Sequence, residues 1–138
     1  MKKPINLGVI QVLGAVHLAL YSLASLLAYV GATGGSADVI AAELQVSKEE
    51  LLKIVLTQTA IFLPLVIASY ALIYIAVWKR SRVWFIISTT FFGVFWSIFY
   101  LYSWAESGRP DSFGVIVPII VMSLLFFPKS TREYFDRK

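Results

Sequence analysis

The chain has 138 residues, of which 59% are hydrophobic and only 14% charged, and its formal net charge is +4. A soluble domain has about 25% charged residues, and a chain this short cannot hide such an excess of apolar side chains from water. Composition therefore excludes an ordinary soluble domain and indicates an integral membrane protein. The absence of Cys also excludes disulfides, thiolate zinc sites and iron–sulfur clusters.

Four long apolar runs predict four transmembrane helices in one domain over residues 1–138. At 1.5 Å per residue, the first three are long enough to cross a hydrocarbon core of about 30 Å, whereas the fourth is short. We therefore predict an all-α integral membrane protein with four transmembrane helices in an antiparallel bundle. The predicted spans lie at about 5–30, 52–78, 83–104 and 112–127.

A short amphipathic helix is predicted between the first two spans, on the extracytoplasmic side. A glycine-rich turn at 31–35 ends the first span, and Ser36 is placed to cap a helix over 36–44. The sequence Ser47-Lys48-Glu49-Glu50 is a capping box that begins the second long helix. Pro64 lies inside that helix and predicts a kink, because proline lacks the amide proton of the helical hydrogen bond.

The second half of the chain contains two turns and an amphipathic tail. The basic turn Lys79–Arg82 predicts that the second and third spans are antiparallel neighbours. A polar turn over 106–111 precedes the fourth span, which Pro128 ends. The C-terminal tail that follows is amphipathic, and we expect Tyr134 and Phe135 to lie against the membrane.

Cations fall mostly on one predicted side of the membrane. With four crossings, nine of the 12 Lys and Arg residues lie on the side of the two chain ends. The positive-inside rule then places both termini in the cytoplasm, with the protein in the cytoplasmic membrane. The nine residues are Lys2, Lys3, Lys79, Arg80, Arg82, Lys129, Arg132, Arg137 and Lys138.

Polar side chains inside the spans are the candidate functional residues. His17 is the only histidine, and a polar group near the middle of a span should face protein or water rather than lipid. Tyr21 and Ser25 share its helical stripe. Gln58 and Tyr100 lie on polar stripes of the second and third spans. We expect these stripes to converge, giving a cluster of His17, Tyr21, Ser25, Gln58 and Tyr100.

Several roles for this cluster remain open. His17 could be a neutral structural residue hydrogen-bonded to a Tyr, Ser or Thr of a neighbouring helix. It could relay protons or sense pH, or it could bind haem or a metal, which would need a second ligand from another chain or subunit. The cluster as a whole could be a structural network or the lining of a small-molecule or ion path.

Sequence motifs for catalysis are missing. No acidic residue lies inside a predicted span, and the chain has no phosphate-binding glycine loop, no His-Glu-x-x-His and no Ser/His/Asp set. We therefore expect no enzyme activity, no cofactor and no nucleic-acid partner.

Three hypotheses for function follow. The first is a non-catalytic accessory or structural subunit of a larger membrane complex, or a homo-oligomer, with membrane lipids and other subunits or copies of itself as partners. The second is a small oligomeric channel or transporter with a polar path near His17 and Gln58. The third is a haem or redox membrane subunit that uses His17.

Two short motifs also suggest a resemblance. A basic turn followed by an aromatic residue opens the third span as Lys79-Arg80-Ser81-Arg82-Val83-Trp84, and a proline begins the amphipathic tail as Pro128-Lys129-Ser130-Thr131-Arg132-Glu133-Tyr134-Phe135. In these features the chain resembles a loose class of small, uncharacterised four-span prokaryotic integral membrane proteins. The resemblance implies a four-span fold and supplies no site residues.

Overall fold

The computed structural model describes residues 3–107 and 112–136, and every regular element in these ranges is helical. The helical structure is expected, because the apolar runs of the sequence do not show the alternation of apolar and polar residues that is typical of strands. The polar turn predicted at 106–111 falls mostly outside the described residues. In chain order the elements are α1 (Ile5–Thr33), α2 (Ala37–Leu44), α3 (Lys48–Thr57), a π-helical turn (Gln58–Phe62), α4 (Leu63–Lys79), α5 (Arg82–Ser107), α6 (Ser112–Phe126) and α7 (Lys129–Asp136).

Three helical segments of the described chain are long and apolar enough to cross a membrane. They are Ile5–Thr33, Lys48–Lys79 and Arg82–Ala105. The first two extend beyond the predicted span by three to five residues in all, and the third by one residue at each end. α6 has 15 residues, or about 22 Å, which is short for a crossing. It reaches the required length only together with α7, from which it is bent by 62°. The chain therefore has three candidate spans, or four if the bent pair is one.

The helix around Pro64 widens before the proline. α3 and α4 are joined by the π-helical turn Gln58–Phe62, in which the amide of Leu63 donates to the Gln58 carbonyl. Proline cannot donate to a carbonyl of the preceding turn, so the regular register cannot continue unchanged at this point. The effect of Pro64 is therefore a π bulge within a continuous helix, a device common at functional sites.

The chain divides into two compact units, Met1–His17 with Ala68–Lys138 and Leu18–Ile67, here called the larger and the smaller unit. In the smaller unit α2 packs on α3 through a small apolar core of Ala41, Leu51 and Val55. Ser47 caps α3 as predicted, because its hydroxyl accepts from the Glu50 amide at 3.1 Å.

The prediction for Ser36 is wrong. Its hydroxyl does not cap α2 and lies 3.5 Å from the Gly31 carbonyl, to which it donates. α1 continues to Thr33, beyond the predicted end at the glycines, so the turn between α1 and α2 is very short. Because the turn is short, the Gly31 carbonyl lies close to Ser36. The Ser36 hydroxyl therefore bonds to this carbonyl instead of capping α2.

In the larger unit α7 packs onto the turn between α4 and α5. The Phe135 ring stacks on Phe85 with centroids 4.4 Å apart, and the Tyr134 hydroxyl donates to the Val77 carbonyl at 3.2 Å. Arg80 in turn donates to that hydroxyl at 3.1 Å. Carbonyls in the last turn of a helix lack helical partners, so Tyr134 satisfies one at the end of α4.

The tail is amphipathic as predicted, but its expected contact with lipid is wrong. Tyr134 and Phe135 are only 5% and 2% exposed because they pack on the protein itself. Thr131 is fully buried and hydrogen-bonds with Asn6 near the start of α1. The start of α1, the basic turn and α7 therefore meet at one end of the larger unit.

Candidate functional site

His17 lies in the interior of the larger unit, between α1 and α4. Its side chain is 2% exposed, and its Nδ1 is hydrogen-bonded to the Tyr70 hydroxyl at 2.6 Å. Tyr70 is itself 1% exposed. A buried polar group must find a partner within the protein, and here each of the two side chains supplies one for the other.

Aromatic rings surround this pair. Trp96 of α5 stacks on the His17 imidazole at a centroid distance of 5.3 Å, and Phe92 meets Tyr70 edge-on at 5.3 Å. Such offset and edge-to-face contacts orient the rings as well as burying them. The Trp96 indole nitrogen is buried and has no hydrogen-bond partner among the described residues.

Gly14 makes the close approach of α4 possible. A Cβ atom at this position would lie 2.8 Å from Cδ1 of Tyr70, well inside van der Waals contact. Gly14 is three residues before His17 and therefore on the same helical face. A second link lies one turn away on each helix, where the Tyr74 hydroxyl donates to the Gln11 carbonyl. Two tyrosines of α4, Tyr70 and Tyr74, thus hydrogen-bond to α1, and Gly14 leaves the space that the Tyr70 ring occupies.

The smaller unit contains the second polar group. The side-chain amide of Gln58, in the π-helical turn, donates to the Tyr21 hydroxyl of α1. Ser25, one turn further along α1, is 4% exposed. Next to Gln58, the Thr59 hydroxyl is buried without a partner among the described residues. Helical threonines ordinarily bond to the carbonyl three or four residues earlier, an arrangement that the wide turn disturbs.

Tyr100 lies on α5 in the larger unit, where it lines a groove between α5 and α6. The five predicted site residues therefore belong to different units: His17 and Tyr100 to the larger, and Tyr21, Ser25 and Gln58 to the smaller. The structure pairs Tyr21 with Gln58. The convergence of all five into one cluster stays a prediction.

Sequence reasoning missed Tyr70 and Trp96 as the partners of His17. Neither residue belongs to the predicted cluster. The signal that points to them is Gly14, since a glycine one turn from a buried histidine leaves room for a large ring. Periodicity gives the face of each helix but not which faces meet.

Side chains of the protein form the immediate surroundings of His17. Tyr70 engages one ring nitrogen, and Trp96 covers a face of the imidazole. In residues 3–105 and 114–136 no group of three His, Cys, Asp or Glu side chains is placed to hold a metal ion. A metal or haem iron bound at Nδ1 of His17 would have to displace the Tyr70 hydroxyl.

Comparison of the chain with protein-family models, curated proteins and solved structures finds no match. The resemblance to small four-span prokaryotic membrane proteins therefore stays a prediction. The length and apolar character of α1, the α3–α4 segment and α5 show that the chain is an all-α membrane protein.

Proposed function

We propose that this chain is a non-catalytic accessory or structural membrane protein that works by packing against another transmembrane helix. The observation that supports the proposal most directly is the outward face of α1. Only 22% of the most apolar window of α1 is buried within the chain, so most of this helix is available to lipid or to a partner.

The outward face of α1 carries a regular seam. Apolar residues alternate at spacings of four and three, which is the period of two helices that supercoil. The large residues among them are between 41% and 87% exposed. Lipid alone requires an apolar face but no fixed spacing, so a seam of this kind favours a protein partner. The seam consists of Ile5, Val9, Val12, Val16, Ala19, Leu23, Leu26 and Val30.

The internal polar groups agree with a structural role. His17 with Tyr70, Gln58 with Tyr21 and the Tyr74 hydroxyl with the backbone of α1 all make contacts within the chain. Interhelical hydrogen bonds of this kind stabilise membrane helix packing. These groups therefore serve the protein's own fold, and the partner surface is left apolar.

Single cysteines test the seam, because the natural chain has none. Val16→Cys and Leu23→Cys lie on the seam, and Ala24→Cys is an exposed control on α1 away from it. In native membranes we expect a thiol-attached benzophenone, which inserts into C–H bonds on illumination, to link the seam variants to one defined protein, and the control far less. A product of twice the monomer mass identifies a second copy, and another defined mass identifies a subunit. Equal yields from all three positions, or no product at all, would contradict the proposal.

We also propose that the chain crosses the membrane four times in an antiparallel bundle with both ends in the cytoplasm. The meeting of the start of α1, the Lys79–Arg82 turn and α7 at one end of the larger unit supports this topology. Ser81→Cys and Ser130→Cys should then react with a membrane-impermeant maleimide only from the cytoplasmic side. Ser36→Cys should react only from the other side. Labelling of positions 81 and 130 from opposite sides would disprove the arrangement.

A second candidate function is a small channel or transporter, favoured by the π-helical turn. Interrupted helices at membrane depth often line a polar path, and the orphan Thr59 hydroxyl lies beside Gln58 in this turn. Liposome flux assays on the wild type, Gln58→Leu and His17→Ala test it. Flux that either variant abolishes would support a path, and the absence of flux under any ion gradient would remove this candidate.

A further inference from the structure

A long groove lies between α5 and α6 in the larger unit. Its volume is about 890 Å³, within the range of about 300–1,000 Å³ that is typical of ligand sites. Its walls are mostly apolar and include both aromatic rings and small residues. Those on α5 include Gly93, Trp96 and Tyr100, and those on α6 include Pro118, Met122 and Phe126.

The groove is long enough to extend through one leaflet of a bilayer. On the α6 side its lining residues extend from Gly114 to Phe127, a distance of about 20 Å at the rise of an α-helix. Half of a hydrocarbon core is about 15 Å. A flexible hydrocarbon chain can therefore lie along the whole groove.

Two cations lie at the Phe127 end. The Arg132 guanidinium donates to the Phe127 carbonyl at 3.4 Å, which holds it at the end of the groove. Lys129 is the second residue after Phe127, and its side chain is 88% exposed. Oε1 of Glu133 lies 3.8 Å from Nζ of Lys129, so this carboxylate partly offsets the charge of the lysine. No carboxylate of residues 3–105 or 114–136 pairs with Arg132.

Apolar surface continues up to these cations. Phe127 is 78% exposed and Phe126 is 47% exposed, so aromatic rings flank the charged end of the groove. An apolar channel that ends at exposed cations beside aromatic rings is complementary to an amphiphile with a negatively charged head. Basic pockets beside transmembrane helices bind anionic lipid headgroups in this way.

We infer that this groove binds one anionic phospholipid, with an acyl chain between α5 and α6 and its phosphate at Arg132 and Lys129. The cations select the lipid against a zwitterionic one. The apolar walls select it against a free phosphate ester, which would leave the groove unfilled. With the termini in the cytoplasm, the bound lipid belongs to the inner leaflet.

Native mass spectrometry of the full-length protein tests this inference. The protein is taken from micelles that contain phosphatidylglycerol or phosphatidylcholine with the same acyl chains. We expect one tightly bound phosphatidylglycerol and weaker phosphatidylcholine. Removing one cation should weaken phosphatidylglycerol binding about fivefold, so Arg132→Gln and Lys129→Gln together should weaken it about 25-fold. Lys53→Gln removes a cation from another part of the chain and should leave binding unchanged.

The groove is tested separately from the charge. Ser97→Phe fills it from the wall on α5 and should abolish the tight site, while Ile98→Phe places the same ring on an exposed side of α5 outside the groove and should keep it. If Ser97→Phe does not fold, Ile119→Trp fills the groove from α6, where the native side chain is 58% exposed. Retention of the lipid in a folded groove-filled variant would overturn the inference.

Three further results would also overturn it. The first is equal affinity for phosphatidylcholine and phosphatidylglycerol, which would mean that the cations do not select between the lipids. The second is complete competition by glycerol 3-phosphate at the concentration of the lipid, which would mean that the acyl chain adds nothing to the affinity. The third is a loss of affinity in Lys53→Gln as large as that in Arg132→Gln, which would mean that only the net charge of the protein matters.

Discussion

The Tyr70 hydroxyl lies 2.6 Å from Nδ1 of His17, and this contact joins α1 to α4 inside the larger unit. Both side chains are almost fully buried. Burying a polar group at membrane depth costs free energy unless the group is hydrogen-bonded, so each of the two residues lowers the cost of burying the other. The pair explains how a chain with a single histidine can place it within a span.

Replacement of Tyr70 by Phe keeps the ring and removes the hydrogen bond. Interhelical hydrogen bonds in membranes contribute about 0.6 kcal/mol on average and up to about 1.7, so we expect a loss of unfolding free energy in this range. Denaturation by SDS in mixed micelles, followed by circular dichroism, measures it. Tyr29→Phe makes the same change at a ring that is 40% exposed and should have no effect. Equal losses in both variants would show that the contact with His17 stabilises nothing.

Two glycines on α1 should respond in opposite ways to Ala. Gly14→Ala places a methyl group 2.8 Å from the Tyr70 ring, and overpacking of this kind costs about 1–3 kcal/mol. At Gly8 the nearest atom to a new Cβ is a side-chain carbon of Lys3 at 4.0 Å. Gly8→Ala should therefore be neutral or stabilising, because alanine favours the helix. The same SDS titration measures the free energy of unfolding of both variants. An unchanged value for Gly14→Ala would rule out the close packing of Tyr70 on α1.

Gln58 and Tyr21 should be energetically coupled. A double-mutant cycle with Gln58→Leu and Tyr21→Phe isolates their interaction, which we expect to be about 0.6–1.7 kcal/mol. The control cycle combines Gln58→Leu with Tyr29→Phe, and its coupling should be near zero. Coupling of the same size in both cycles would mean that the hydrogen bond to Tyr21 carries no specific energy.

Two threonines should differ in their response to Val. The Thr59 hydroxyl is buried without a partner in the described chain, whereas the Thr89 hydroxyl donates to the Phe85 carbonyl at 2.8 Å. A buried unsatisfied polar group costs about 1–3 kcal/mol, so Thr59→Val should increase the free energy of unfolding. Thr89→Val should decrease it or leave it unchanged. Destabilisation by Thr59→Val would show that this hydroxyl has a partner in the membrane.

Removal of the Phe135 ring should release the tail. The ring stacks on Phe85 and is 2% exposed, and deletion of a buried phenyl group costs about 3–5 kcal/mol. We expect Phe135→Ala to speed trypsin cleavage at Lys129 and Arg132 by about tenfold or more, because cleavage follows the open population. Val83→Ala, at a residue that is 63% exposed, should keep the wild-type rate. An unchanged rate in Phe135→Ala would mean that the tail is held elsewhere.

The sequence predicted well wherever one segment decides its own structure. The Ser47 cap depends only on residues three apart. The break between α4 and α5 depends only on the short basic stretch Lys79–Arg82. Predictions failed where two segments compete for the same group. Ser36 had the right side chain for a cap, but a short turn gave it the Gly31 carbonyl instead. Tyr134 and Phe135 lie on the apolar face of an amphipathic helix, as lipid-facing residues do, but they pack against the end of α4 and the start of α5 instead.

Composition and periodicity by themselves determined that this protein is helical and apolar enough for a membrane, because backbone groups in hydrocarbon must be satisfied within a helix and apolar side chains need no water. Only the tertiary structure decided that His17 pairs with Tyr70 under Trp96, and that α6 leaves a groove that ends at Arg132. The reason is that helical periodicity gives the direction of a side chain about its own axis. Its partner depends on how a second helix is placed, and that placement is set by the packing of particular residues such as Gly14 against a ring.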